Sequence, residues 1–482
     1  MPAENPIIVW FRQDLRLADN PALLEAAQKN HPIIPVYVLD DINAGAWKMG
    51  RASCWWLHHS LHALQESLSK RLVLIKGDAS EVIPYLAHDT KAAAVYWNRC
   101  YEPWRIDRDT RIKSTLEAEG IEVKNFNASL LFEPWEIRKT DGAPYRAFTP
   151  FFRRGCLGTG EPDVACPAPS TVNLASNPEY GVSLENLNLL PQKPMPRWDT
   201  KMESYWEIGE AGAQKKLKDF LKTALRNYRE GRNIPSQNNV SRLSPHLHFG
   251  EISPRSVWHA IKRCMITEGL ETDGDHFLNE LGWREFSYNL LYYNRNLPLH
   301  PLQERFQYFP WERDDESLQA WQRGKTGYPI VDAGMRELWE TGYMHNRVRM
   351  IVGSFLVKDL LIPWQQGEEW FWDCLVDADL ANNAASWQWI AGCGADAAPY
   401  FRIFNPVGQG EKFDPNGTYV RRWCPELSKL PDEWIHRPWE APPLLLRECG
   451  ISLGCDYPYP IVDHKKARVK ALTAFQAIRG MS

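Results

Sequence analysis

No two cysteines in this chain stand in a C-x-x-C spacing. Zinc ribbons and ferredoxin-type clusters rely on that spacing, so the ten cysteines signal neither. They read as reduced thiols of a cytosolic protein. No apolar run approaches the ~18 residues of a membrane span. The opening MPAENPIIVWF lacks a basic segment followed by a long apolar one. Membrane insertion and secretion are therefore not expected. Neither sign of charge dominates: 56 Lys and Arg face 60 Asp and Glu, for a net charge of -4. That argues against coating nucleic acid non-specifically, yet permits a local basic face. Internal repeats and low-complexity tracts are also missing.

What the chain does have is length and tryptophan. At 482 residues it exceeds one ordinary core, so two domains are expected. Its 22 tryptophans suggest ring-stacking sites and aromatic ligands. The first part alternates. IIVWF (7–11), PIIPVYVL (32–39), LVLIKG (72–77), AAVYWN (93–98) and IEVKNFN (121–127) read as strands. Helical patterns lie between them, which predicts a Rossmann-like α/β domain over 1–130 with a parallel sheet. The first turn, WFRQDLRLADN, carries no G-x-G-x-x-G, so a dinucleotide fingerprint is missing. Ligands of such sheets still favour the carboxyl ends of the strands. Over 131–200 Pro162, Pro167, Pro169, Pro178, Pro191, Pro194 and Pro196 mark a surface connector. Over 201–482 strand signals nearly vanish, and long helical runs predict a large all-α domain.

Four stretches of the helical part are denser in polar and aromatic groups than packing needs. In VSRLSPHLHFGE, Ser241 and Ser244 bracket Arg242; hydroxyls with a guanidinium suit a phosphate, and equally a helix cap. In NELGWREF, Glu280, Trp283 and Arg284 share one helical face, suited to a stacked base or to an ordinary ion pair beside a packed indole. In YMHNRVRM, Asn346 and Met350 lie one turn apart, as do His345 and Arg349. In DADLANNAASWQW, acids and amides (Asp377, Asp379, Asn382 and Asn383) precede Trp387 and Trp389. Buried polar groups need partners. Together the four suggest one buried, planar, polar ligand.

WFRQDLRLADNPAL, GWREF, KTGYPIVDAGMREL, MHNRVRM, DADLANNAASWQW and FRIFNPVGQGEKFDPNG resemble the photolyase/cryptochrome flavoproteins over nearly the whole chain. That resemblance implies an N-terminal antenna domain and a helical domain holding a folded FAD. It places Tyr228, Ser241, Arg242, Leu243 and Ser244 at the FAD phosphates and ribose. Arg284, Asn346, Arg349, Asp377 and Asp379 would lie around the flavin and adenine, and Asn383 would face flavin N5. A neutral amide there tolerates a reduced, anionic flavin, whereas a carboxylate would oppose added negative charge. Plant cryptochromes carry Asp at this position, so Asn383 favours repair over signalling. Trp387, Trp364 and Trp311 match the chain of indoles that passes electrons to the flavin.

The resemblance also bears on substrate. Enzymes that repair (6-4) photoproducts carry His where Asn346 and Met350 stand; Asn and Met match those acting on cyclobutane pyrimidine dimers. Glu280, Trp283, Asn346, Met350 and Trp389 would then form the pocket for a flipped-out dimer, the activity being that of a carbon–carbon lyase on UV-damaged DNA. Arg347, Lys412, Arg421 and Arg422 are the expected basic grip. GAWKMGRASCWWLHHSL, LPDEWIHRPWEAP and NNAASWQW look most like the class III photolyases and plant cryptochromes. The implied antenna is 5,10-methenyltetrahydrofolate, with Glu102 and Trp104 as contacts; a deazaflavin is the alternative. The chain ends at FQAIRGMS without a long polar tail, which again favours a DNA repair enzyme over a blue-light photoreceptor. A monomeric bacterial protein of the cytoplasm, associated with the nucleoid through DNA, is expected. A nicotinamide-dependent flavin oxidoreductase would need a motif that is missing.

Overall fold

Each of the five apolar runs folds as a strand: β1 (Ile7–Phe11), β2 (Ile33–Leu39), β3 (Val73–Lys76), β4 (Ala94–Asn98) and β5 (Glu122–Phe126). In this computed structural model, which describes residues 5–29, 31–176, 178, 181–192, 197–396 and 401–480, they pair in parallel in the order β3-β2-β1-β4-β5. Pro194 and Pro196 of the expected connector lie outside the described residues. Every residue of β1, β2 and β4 is buried. A parallel sheet covered on both faces requires this, and it explains why the strands read as continuous apolar runs. The edge strand β5 is only half-buried.

Helices α1 (Pro21–Gln28), α2 (Arg51–Ser67), α3 (Ala79–Asp89) and α4 (Pro103–Ala118) alternate with the strands. α1 begins where Asn20 accepts the N–H of Leu23 at 3.1 Å and Pro21 takes the first helical position. The sheet core gathers Ile8, Trp10, Val36, Val95 and Trp97 with Ile83, Leu86, Ile112 and Leu116. Trp10 and Trp97 meet edge-to-face with ring centroids 5.8 Å apart. At the carboxyl ends of the strands polar side chains bond one another. Arg12 pairs with Asp109, and Arg108 reaches Asp40 at 3.2 Å. Asn98 donates to Asp14 at 2.6 Å and to the Asn20 side chain at 2.7 Å. The chain's own ion pairs and amides thus gather at the carboxyl ends of β1, β2 and β4. The connector lends β2 a bridge: Ile33 donates to the Asn173 carbonyl at 2.7 Å and accepts from Ala175 at 2.9 Å.

Two compact units emerge. The first comprises 1–226, 241–295 and 376–379; the second comprises 227–240, 296–375 and 380–482. Besides the sheet, the first contains α5 (Ser244–His248), α6 (Pro254–Glu268) and α7 (Glu271–Tyr293). The loop after β1 is stitched to the end of α5. Leu15 donates to the Phe249 carbonyl at 3.1 Å, Arg16 to the Gly250 carbonyl at 2.8 Å, and Trp56 to Glu251 at 3.0 Å. Gly250 takes a φ of +66, and a Cβ on it would overlap the carbonyl of Gln13.

The second unit is helical, with α8 (Pro329–Thr341), α9 (Asn346–Ser354), α10 (Trp364–Cys374) and α11 (Leu380–Ala391). α9 starts where the His345 ring accepts the N–H of Arg347 at 3.2 Å. It passes into an i→i+5 turn over Phe355–Asp359. The chain leading into this unit, over 210–231, is not one continuous helix. Helix Glu210–Asp219 widens at Phe220–Ala224, and Asn227 enters the left-handed region at φ +66 before Tyr228–Gly231. No described helix is long and apolar enough to cross a membrane.

Candidate active site

In the first unit the predicted residues converge on two acids of the segment Val376–Asp379. Ser244 donates its hydroxyl to Asp377 at 2.5 Å. Asp379 receives the Tyr288 hydroxyl and lies 3.4 Å from Nδ1 of His248. Burial pushes the Asp379 carboxyl up, but the His248 contact, the charge of Arg284 and the Tyr288 hydroxyl outweigh it and hold the group far below the usual carboxylate range. Arg284 sits 4.9 Å over the Tyr288 ring and donates to the Ser129 carbonyl at 2.6 Å. Just upstream of α5, Ser241 accepts the N–H of Leu243 at 3.3 Å, while Arg242 has a φ of +52. Leu243 itself is buried. The Ser241 hydroxyl and the Arg242 guanidinium, on a turned backbone, are donors suited to phosphate oxygens, whereas the Ser244 hydroxyl hydrogen is committed to Asp377. Farther along α7, Trp283 stacks on Phe148 at 3.9 Å with a 10° interplanar angle, and Glu280 stands half-buried one turn before it.

In the second unit Asn383 is buried on α11 and donates its amide N–H to the Glu368 carbonyl at 3.0 Å. That bond fixes the side chain and leaves its oxygen as an acceptor, which fits the N–H of a reduced flavin. Trp387 packs against Phe371 at 5.0 Å and Trp321 at 6.3 Å, both edge-on. Trp364, at the start of α10, is fully buried, and Trp311 lies 4.4 Å from the Phe309 ring. Arg349 donates to the Met344 carbonyl at 2.8 Å and covers Tyr343 at 5.1 Å. Asn346 is exposed at the first position of α9; Met350, one turn on, approaches Arg347 at 3.7 Å. Tyr228 is buried under Arg232 at 5.5 Å. Trp389 lines a small cleft with Lys358, Arg402 and Phe404.

The basic residues differ among themselves. Arg347 donates to Asn233 at 2.6 Å and lies over Phe413 at 4.5 Å, beside Lys412. Arg421 donates to the carbonyls of Asn416, Ser428 and Leu430 and to Asp432, so its donors serve the fold. For the antenna pair, Glu102 is buried with Oε1 3.3 Å from Arg105, while its Oε2 accepts no hydrogen bond. Trp104 stacks under Arg105 at 4.7 Å. An orphaned buried carboxylate oxygen beside an indole fits a ring that donates N–H groups.

Sequence reasoning passed over Tyr288, His248 and Glu285. Tyr288 follows Arg284 by one helical turn, a spacing that signals a shared face. Nothing local marks His248, whose partner lies 131 residues away.

Residues 7–170 match the family model "DNA photolyase", and residues 277–477 match "FAD binding domain of DNA photolyase". The chain is 49% identical to a deoxyribodipyrimidine photo-lyase of Agrobacterium fabrum, covering 98% of each. It is 40% identical to Cryptochrome-2 of Arabidopsis thaliana, over 97% of this chain and 78% of that one. The crystal structure of a bacterial class III photolyase from Agrobacterium tumefaciens superposes with a TM-score of 0.92 at 49% identity, over 99% of this chain and 98% of that one. The protein is thus built as an α/β sheet module joined to a helical FAD-binding module. It belongs to the photolyase/cryptochrome family.

Proposed function

We propose that this protein repairs cyclobutane pyrimidine dimers in UV-damaged DNA by light-driven electron transfer, as a monomer in the bacterial cytoplasm. When bound, reduced FAD supplies a photoexcited electron donor whose electron opens the cyclobutane ring and is then regained. Residues 1–130 serve antenna binding, 131–200 connect, and 201–482 carry the cofactor and catalysis. Tyr228, Ser241, Arg242, Leu243 and Ser244 bind the phosphates and ribose. Asp377, Asp379, Arg284, Asn346 and Arg349 orient the rings. Asn383, neutral and pinned to the Glu368 carbonyl, presents an acceptor where a carboxylate would repel the reduced cofactor. This single observation carries the reading of repair.

Trp283 and Trp389 stack on the extruded dimer; Glu280 bonds its thymine edge, and Met350 and Asn346 shape the pocket. Trp387, Trp364 and Trp311 pass electrons inward to restore the reduced cofactor. Arg347, Lys412 and Arg422 hold the phosphate backbone. For the antenna, Glu102 with its unsatisfied Oε2 and Trp104 hold methenyltetrahydrofolate. A deazaflavin is the second reading. Illuminating the fully reduced protein with dimer-containing oligothymidine tests the main claim. Recovery of thymine absorbance is expected. No recovery with reduced FAD in place would turn the assignment to a blue-light photoreceptor. Recovery with (6-4) photoproducts alone would move the substrate. The spectrum of extracted chromophores separates folate from deazaflavin.

A further inference from the structure

Glu285 is buried on α7, directly after Arg284. One carboxylate oxygen, Oε2, accepts the backbone N–H groups of Leu131 at 2.9 Å and Phe132 at 3.3 Å. The other, Oε1, accepts no hydrogen bond and stands 3.5 Å from the Arg284 guanidinium. The same guanidinium donates to the Ser129 carbonyl and sits 4.9 Å over the ring of Tyr288, whose hydroxyl donates to Asp379. Arg284 is therefore placed between two acids. Anchoring of residues 129–132 needs only an acceptor at Oε2, which a neutral amide also provides. The charge at Oε1 is surplus to that structural task.

We propose that Glu285 is a positioning residue for the cofactor: its charge, passed on through Arg284, sets the positive field at Asp379 and with it how readily a bound flavin takes up electrons. This rests on the FAD reading above. Among the described residues, Arg284, Glu133 and Cys156 face Glu285. Arg284 shares its helix. Glu133, on the connector, receives Arg99 at 2.8 Å and Tyr101 at 2.8 Å. Cys156 comes from the turn Phe151–Cys156, and burial keeps its thiol protonated. Burial pushes the Glu285 carboxyl up to about 7 against the pull of Arg284 and the two amides. Below that pH Glu285 is neutral, Arg284 acts on Asp379 undiminished, and an electron-rich flavin is favoured. Above it Glu285 draws on the same cation, and reduction becomes harder.

The midpoint potential of the bound flavin, titrated from about pH 6 to about pH 8.5 in the wild type, Glu285→Gln and Glu285→Asp, tests this. Glu285→Gln should show the higher potential at the alkaline end and merge with the wild type at the acid end. Glu285→Asp should keep the wild-type slope. Parallel curves for wild type and Glu285→Gln would overturn the proposal. An infrared titration of the wild type guards against a variant that does not fold: a carboxyl band titrating near neutrality supports the role, and one titrating in the ordinary carboxylate range refutes it. Protein that binds no flavin sinks the functional reading as well; flavin bound with parallel curves sinks this inference alone.

Discussion

Two buried charges make opposite demands on their surroundings. Asp379 keeps its charge because His248, Arg284 and Tyr288 favour it. Its folded value is depressed, so its contribution is complete above the unfolded value of about 4 and fades only as pH falls through the lower folded one. Retention of the flavin should accordingly hold until strongly acid pH. Asp379→Asn would leave Tyr288 and His248 without a charged partner. FAD binding should weaken by roughly 30-fold, about 2 kcal/mol, read from the cofactor content of dialysed protein. Lys358 is the reverse case. It is 2% exposed, donates to the Arg402 carbonyl and lies 4.5 Å from the Phe401 ring. Burial, aided by Arg402, lowers it to about 7. Between about pH 10 and 7 the unfolded chain binds a proton that the folded chain sheds, so stability declines as pH falls and levels off below 7. Lys358→Met should raise stability at neutral pH by about 2 kcal/mol after the lost hydrogen bond is counted, and flatten this dependence in denaturant titrations.

Among the elements, the junction of the β1 loop with α5 matters most for the site, since α5 carries Ser244 and His248. Gly250 closes it in a conformation that side chains avoid, against the Gln13 carbonyl. Gly250→Ala should cost at least ~3 kcal/mol in thermal or chemical unfolding, through both strain and overlap. Some elements were legible in the sequence and some were not, for physical reasons. Buried parallel strands announce themselves as short branched runs, and all five formed. α7 was readable from its length. The break at Asn227 was not, because a left-handed residue inside a polar helix leaves no periodic trace. The neighbours of Trp387 were hidden in the same way: Trp321 and Phe371 approach it only through packing. Glu285 carried no local mark, since its partners Leu131 and Phe132 lie more than 150 residues upstream.

The whole molecule carries a net charge of -4, so its proposed grip on DNA must be local. With about three phosphates neutralised, affinity for dimer-containing duplex should fall roughly 40-fold between about 50 and 200 mM salt. Arg347→Ala should lower the slope of that dependence by about one contact while sparing the preference for damaged over intact DNA. Fluorescence titrations across a salt series would check both; an unchanged slope would remove Arg347 from the interface.

The first unit takes its final contribution from Val376–Asp379, more than 80 residues after α7 has ended. Asp377 and Asp379 cannot meet Ser244, His248 and Tyr288 until over three quarters of the polypeptide has left the ribosome. The sheet can settle early during synthesis, but the acids that the proposed cofactor site depends on arrive late. A nascent chain stalled before that point would hold a finished sheet and an uncompleted site.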